Sequence, residues 1–284
     1  MDKKELRNLE IFAAEIRLET IKEIGHRGFG HIGGALSVVE ALAVLYGGLM
    51  NINPLNPNKP DRDKLIMSKG HAGPAVYATL ALKGYFPMDW LETLNQPGTC
   101  LPSHCDRRLT PGIDMTTGSL GQGTSAAVGL AMAQRLNGLE SYTYLFTGDG
   151  ELNEGQCWEA AMFAPNKGVN NLVWLVDNNR KQLDGRTENV MDLGDVGAKF
   201  AAFGWHVQTV SGNSIEAVYH ALKAAKEEKD KPSCIVMNTV KGAGAPLLEE
   251  IELNHHIVLE GELLERSVAH AERALRELKG GERA

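Results

Sequence analysis

The sequence predicts an α/β fold built on a doubly wound, mainly parallel sheet with helices on both faces. Three observations carry that expectation. Short apolar, β-type runs alternate with helical patterns through the second half of the chain, as βαβ units require. No linker, internal repeat or low-complexity tract other than a charged tail divides the 284 residues. Gly148-Asp149-Gly150 and Asn178-Asn179, separated by 27 residues, stand at the ends of two successive β-type runs, where open α/β sheets bind phosphorylated ligands.

The elements follow in chain order. Residues 4–24 set Leu6, Leu9, Phe12, Ala13, Ile16, Thr20 and Ile24 on or near one helical face. A glycine-rich turn precedes a helix over Ser37–Leu49, with Ser37 as its N-cap. Residues 51–60, rich in Asn and Pro, form a loop. Residues 63–68 give a short strand, and Ser68 caps a helix reaching Leu82. Residues 95–118, rich in Pro, Gly, Thr and Cys, read as a long functional loop. The doubly wound part then comprises a helix over 123–136, a strand over 141–146, a helix over 154–164 and a strand over 171–177. A helix over 192–203 leads to a strand over 205–210, and a helix over 214–228 to a strand over 233–240. Glu260–Lys279 forms a charged helix. One domain spanning 1–284 is expected, with a helical N-terminal segment over 1–60 and a helical tail over 255–284.

Hydrophobic residues make up 43% and charged residues 23% of the chain, enough apolar material for a well-buried core. A formal net charge of −7 argues against nucleic acid or an anionic membrane as the main partner. The most apolar stretch, Ala41–Met50, is too short to cross a bilayer. Cys100, Cys105, Cys157 and Cys234 lack disulfide-type spacing, and Met1–Glu5 opens a charged helix rather than a signal peptide. A reducing, cytoplasmic setting is therefore expected.

Asp149 and Asn179 offer hard oxygen donors, which suit Mg²⁺ or Ca²⁺ together with a diphosphate, while Gly148 and Gly150 let the backbone approach that group closely. Gly-Asp-Gly and Asn-Asn are also ordinary turn sequences. Two other patterns lack their context. Gly28-Phe29-Gly30-His31-Ile32-Gly33 is a literal G-x-G-x-x-G, but a helix rather than a strand precedes it. Cys100, His104 and Cys105 have no second ligand pair for zinc.

Four stretches occur in order: Gly30-His31-Ile32-Gly33-Gly34, Ser68-Lys69-Gly70-His71-Ala72, Thr116-Thr117-Gly118-Ser119-Leu120-Gly121-Gln122-Gly123 and Gly148-Asp149-Gly150-Glu151-Leu152-Asn153-Glu154-Gly155. Together they resemble the amino-terminal section of transketolases, over about residues 10 to 260, and the Gly-Asp-Gly…Asn-Asn pair resembles the thiamine diphosphate motif. The resemblance implies the thiamine diphosphate-binding fold, with this chain as its diphosphate-binding domain. It implies metal ligation by Asp149, Asn179 and the main-chain carbonyl of Lys181. Cofactor contacts are implied for His71, Gly118, Ser119, Leu120, Gly148, Gly150 and Glu151. His31, His71, His104 and His255 match histidines lining the active-site channel, with His255 also near the cofactor. Glu154 matches a buried acid in a network across a subunit interface; as a first-turn acid it would equally suit the helix dipole. Where the family has Trp-His-Gly after a Lys-Gly-x-Gly turn, this chain has Asn254-His255-His256 after Lys241-Gly242-Ala243-Gly244.

In the family, the glutamate that activates the cofactor and the arginines that grip the substrate phosphate lie on further domains with no counterpart in these residues. The resemblance therefore implies the N-terminal subunit of a split transketolase. Its partner would be a separate subunit carrying the pyrimidine-binding and C-terminal domains, in an α₂β₂ assembly acting on sugars or sugar phosphates. Alternatives within the same cofactor class are a relative of deoxyxylulose phosphate synthase and a 2-oxo acid dehydrogenase α subunit. The alternative outside it is a non-catalytic cofactor-binding protein.

Overall fold

In the computed structural model, described over residues 1–280, Asp2 opens helix α1 (Lys3–Arg27) by accepting a 2.8 Å hydrogen bond from the Glu5 amide. A two-residue strand β1 (Phe29–Gly30) follows, then helices α2 (Ile32–Leu36) and α3 (Val39–Val44). Strand β2 (Lys64–Met67) and helix α4 (Gly73–Leu82) come next, and irregular chain leads to helix α5 (Gln122–Leu136). The remainder alternates as β3 (Thr143–Gly148), α6 (Gly155–Asn166), β4 (Leu172–Asn178), α7 (Thr187–Val190), α8 (Val196–Phe203), β5 (His206–Ser211), α9 (Ile215–Glu227) and β6 (Ser233–Asn238). Helix α10 (Pro246–Glu249), strand β7 (Ile257–Val258) and helix α11 (Gly261–Leu278) complete the described chain.

Five strands form one parallel sheet in the order β2-β3-β4-β6-β5. Because side chains alternate along a strand, each strand feeds two cores. Phe146, Leu175 and Ile235 pack with Ile16, Leu36, Leu42 and Tyr77 on one side. Leu145, Trp174 and Val176 pack with Phe200 and Trp205 on the other. Burial on both sides explains why β3 and β4 read as continuous apolar runs. The sheet predicted from the sequence is thus present, with each strand within two residues of its expected bounds.

Two helix starts differ from expectation. Ser37 caps nothing: it closes α2, and its hydroxyl donates to Asp177 Oδ2 at 2.6 Å. Ser68 likewise donates to Glu151 Oε1, and α4 begins only after a 3₁₀ turn over Gly70–Ala72. Both serines follow the N-cap pattern, but a buried carboxylate is the stronger acceptor for their hydroxyls. The N-terminal segment is helical only as far as Leu49, through a π-helical turn, and is irregular up to β2. The charged tail helix spans Gly261–Leu278, within one residue of its expected bounds, while residues 255–260 of the expected tail segment are not helical; residues 281–284 lie outside the described residues. The small antiparallel ribbon β1–β7 had no visible sequence signal, since each strand has only two residues.

Candidate active site

Strand register brings the two halves of the motif together. Gly148, the last residue of β3, pairs with Asp177 near the end of β4, so Asp149 and Asn179 leave neighbouring strands at the same edge. Asp149 is buried; its Oδ1 accepts from the Gly150 amide at 2.8 Å. Its Oδ2 accepts from the Arg180 amide at 2.6 Å and from the Thr187 hydroxyl at 3.2 Å. Asn179 donates its amide to Asp177 Oδ2 at 2.9 Å, and its Oδ1 accepts from the Lys181 amide at 3.0 Å. Asp149, Asn179 and Lys181 all line one cleft of about 270 Å³.

Burial, with the nearby Asp177 charge, raises the Asp149 carboxyl to about 6. Asp177 lies deeper and is fully buried. Burial alone would raise it, yet the Lys69 ammonium and the Ser37 and Thr239 hydroxyls hold it below the usual carboxylate range. The Lys69 ammonium also donates to the Gly34 carbonyl at 2.7 Å.

The donor set fits a divalent cation. It combines one carboxylate, one carboxamide oxygen and one main-chain carbonyl, each with lone-pair capacity beyond its present bonds. No group of three or more His, Cys, Asp or Glu is arranged as a metal cluster among the described residues. The Lys181 carbonyl accepts from Lys241 Nζ at 2.8 Å, and Lys241 Nζ also lies 3.1 Å from His255 Nδ1. Burial, then the Lys69 charge, lowers Lys241 to about 8.

Four histidines line the same cleft. The His31 ring lies 5.5 Å from His71, 5.3 Å from His104 and 5.3 Å from His255, and His71 lies 4.7 Å from His255. Burial is the main reason their basicity falls: His31 to about 4, His255 to about 3, His71 well below the ordinary imidazole value and His104 in the same direction. Near neutrality these rings are uncharged, and each can donate and accept one hydrogen bond.

The chain matches, over residues 10–274, the family described as transketolase, thiamine diphosphate binding domain. The chain belongs to the transketolase family. It is 50% identical over 266 residues to the 6-deoxy-6-sulfo-D-fructose transketolase subunit SqwG of Clostridium sp. (strain MSTE9), covering 94% of this chain and 97% of that protein. It is 34% identical to one of the apulose-4-phosphate transketolase subunits, that of Phocaeicola vulgatus, covering 97% and 98% of the two chains. Among solved structures, the transketolase from Leishmania mexicana superposes with a TM-score of 0.84 at 31% identity over 96% of this chain. That match covers 45% of the Leishmania chain, so this chain spans less than half the length of such solved transketolases.

Most of the transketolase-like residues expected from sequence meet in the cleft: His31, His71, His104, Gly118, Leu120, Gly148, Asp149, Gly150, Glu151, Asn179, Lys181 and His255. Gly118 adopts φ +141°, and a side-chain carbon there would press on the His104 ring at 3.2 Å. Two expected residues are not among the lining. Ser119 is exposed beside it, and Glu154 is exposed at the start of α6 with no capping hydrogen bond from its side chain. Glu151 lines the cleft, but its carboxylate accepts from Ser68, from the Gly121 amide at 2.8 Å and from the Gly148 amide at 3.2 Å. It ties three site segments together.

Sequence reasoning missed Lys69, Lys241, Gln182 and Leu183, which also line the cleft, and Asp177 beneath it. The available signals were the lysines inside the quoted motifs and a lone Asp ending an otherwise apolar strand. Between the adjacent histidines, His255 faces His71, whereas His256 stacks edge-on against His31 at 4.6 Å.

Proposed function

We propose that this chain is the N-terminal subunit of a two-chain, thiamine diphosphate-dependent transketolase, read as a single diphosphate-binding domain. In this reading, Asp149, Asn179 Oδ1 and the Lys181 carbonyl hold Mg²⁺ (or Ca²⁺), which clamps the cofactor diphosphate. Gly148 and Gly150, with Gly118, Ser119 and Leu120, give the diphosphate and pyrimidine close backbone contact. The bound cofactor would supply the electron sink for breaking the ketose carbon–carbon bond. The reaction is transfer of a two-carbon ketol unit from a ketose or ketose phosphate to an aldose acceptor.

The observation that carries this reading is the Arg180 amide bond to Asp149 Oδ2 at 2.6 Å. It docks the Asn179–Lys181 turn on the acid and collects all three oxygen donors in one cleft. The histidines support the same reading. As neutral groups, His31, His71, His104 and His255 can hydrogen-bond sugar hydroxyls and carry a proton to or from a hydroxyl oxygen. Lys241, beside His255, adds a cation at the diphosphate end.

A second subunit carrying the pyrimidine-binding and C-terminal domains, in an α₂β₂ complex, completes the enzyme. The two relatives named as subunits, both of similar length, support this. Their names also support a ketose bearing a terminal anion: 6-deoxy-6-sulfo-D-fructose carries a sulfonate and apulose 4-phosphate a phosphate. Glu154, exposed in the single chain, is available for the interface with that partner. No described helix is long and apolar enough to cross a membrane; the proposed place of action is the cytoplasm.

Calorimetric titration of the assembled pair with thiamine diphosphate, with and without Mg²⁺, tests the proposal. Asp149→Asn and Asn179→Ala are expected to weaken Mg²⁺-supported binding at least about ten-fold, the order of one lost charged contact. Uptake indifferent to the ion, or ketol transfer by this chain alone, would refute the reading.

A further inference from the structure

We propose that Asp177 is a positioning residue for the cation site: its carboxylate, pinned by Lys69, fixes which way round the Asn179 carboxamide stands, so that Oδ1 and not Nδ2 is presented to the cation. The inference rests on the cation reading of Asp149, Asn179 and Lys181 for the ion, but not for the orientation of the amide.

The oxygen and nitrogen of a carboxamide are alike in shape and opposite in hydrogen bonding. An asparagine therefore serves a cation in only one of its two orientations; turned round, it offers N–H groups, which repel the ion. Two neighbours discriminate between the orientations here. Asn179 Nδ2 donates to Asp177 Oδ2 at 2.9 Å, and Asn179 Oδ1 accepts from the Lys181 amide at 3.0 Å. An ionised carboxylate can only accept and a backbone N–H can only donate. Half a turn of the amide would set oxygen against carboxylate and N–H against N–H, and both bonds would be lost. The Lys181 amide moves with the turn that carries Asn179. Asp177, in strand β4, is the anchor in the sheet.

Asp177 is itself held from several sides. Its Oδ2 accepts from Lys69, from Ser37 at 2.6 Å and from Asn179, and its Oδ1 accepts from Thr239. Ser37 closes α2, Lys69 follows β2 and Thr239 follows β6, so four segments fix one buried carboxylate. Lys69 balances its charge, and the pair orients the amide without adding net charge under the cation. Apolar side chains of similar volume often stabilise a fold as well as a buried ion pair does. What they could not supply is an acceptor aimed at Asn179 Nδ2.

A mutant cycle on the assembled pair tests the role. Mn²⁺, standing in for Mg²⁺, is titrated at constant thiamine diphosphate, and free ion is followed by EPR. Lys69→Met with Asp177→Leu removes both charges and the acceptor, and is expected to raise the Kd for Mn²⁺ about ten-fold or more, as loss of an outer partner of a ligand does. Asn179→Asp supplies a ligand with oxygen at both ends and no wrong way round. In K69M/D177L it is expected to recover most of the loss. In the wild-type background it sets two carboxylates together and is expected to raise Kd. A role in folding alone predicts a loss that N179D cannot repair. A wild-type Kd in K69M/D177L, or the same factor for N179D in both backgrounds, overturns the proposal.

A second measurement needs neither the cation nor the double variant. In the metal-free full-length chain, NMR with water saturation compares the side-chain amides of Asn179 and Asn178. The Asn178 amide donates to Asn238 Oδ1 at 2.8 Å in an exposed contact. The Asn179 amide, tied to a buried carboxylate, is expected to exchange its hydrogens more slowly. Equal or faster exchange overturns the proposal. A wild-type pair that takes up no Mn²⁺ counts against the cation reading instead, and the exchange rates still decide the orientation.

Discussion

The Lys69 ammonium meets Asp177 Oδ2 where both side chains are shut off from solvent, 1% and 0% exposed. Replacing Lys69 by Met leaves an uncompensated buried carboxylate. Removing one partner of such a pair typically costs about 3–5 kcal/mol. Urea unfolding of K69M should show a loss of that order. The double variant K69M/D177L, which removes both charges, should recover much of it. A double variant no more stable than K69M would mean that the pair is not the source of the loss.

Glu23 presents a different buried acid. Both carboxylate oxygens of this α1 residue are buried without partners. Burial first, and the Glu19 charge second, push its carboxyl well above the ordinary glutamate range. Once the pH exceeds that ordinary range, the unfolded chain loses the proton while the folded chain keeps it. The folded state then binds more protons, so stability falls as pH rises until the folded-state pKa is passed. The slope for one proton is about 1.4 kcal/mol per pH unit. Glu23→Gln should flatten the decline in urea midpoint between mildly acidic and neutral pH. An identical decline in E23Q would assign it to other groups.

Gly33 joins three site segments. Its amide donates to the Asn254 carbonyl at 3.1 Å, and its carbonyl accepts from the Gly242 amide at 3.0 Å. A side-chain carbon at residue 33 would stand 2.3 Å from the Asn254 carbonyl oxygen. That neighbour is backbone, so it cannot swing aside. Gly33→Ala should cost about 1–3 kcal/mol, as overpacking does, and should separate His31 from His255. Thermal melting and ketol-transfer rates of the assembled enzyme check this; wild-type values for both would show that the junction yields.

How much of this was legible in the sequence depended on the range of each signal. The sheet was, because β3 and β4 carry unbroken apolar runs punctuated by Gly148-Asp149 and Asn178-Asn179 at their ends. The cleft's lining was largely readable for the same reason: parallel strands one crossover apart deliver their ends to one place. The roles of Ser37 and Ser68 were not. Local cap chemistry is visible in a short window, but the competing acceptors, Asp177 and Glu151, lie 140 and 83 residues away. Lys69 was quoted in a motif without a partner, since nothing near it in the chain reveals Asp177. The β1–β7 ribbon was invisible because two residues cannot show a period, and with it went the placement of His256.

That ribbon has a consequence for how the molecule breathes. The wall bearing His31, His255 and His256 is fastened by a short pairing, by the Leu259 amide bond to the Gly28 carbonyl at 2.8 Å and by the clasp at Gly33. Asp149 and Asn179 instead follow β3 and β4, which are held in register along their whole length. Local opening costs least where few backbone bonds and little apolar contact must be given up. Hydrogen exchange is therefore expected to be faster at the amides of β1, β7 and their flanks than at those of β3 and β4.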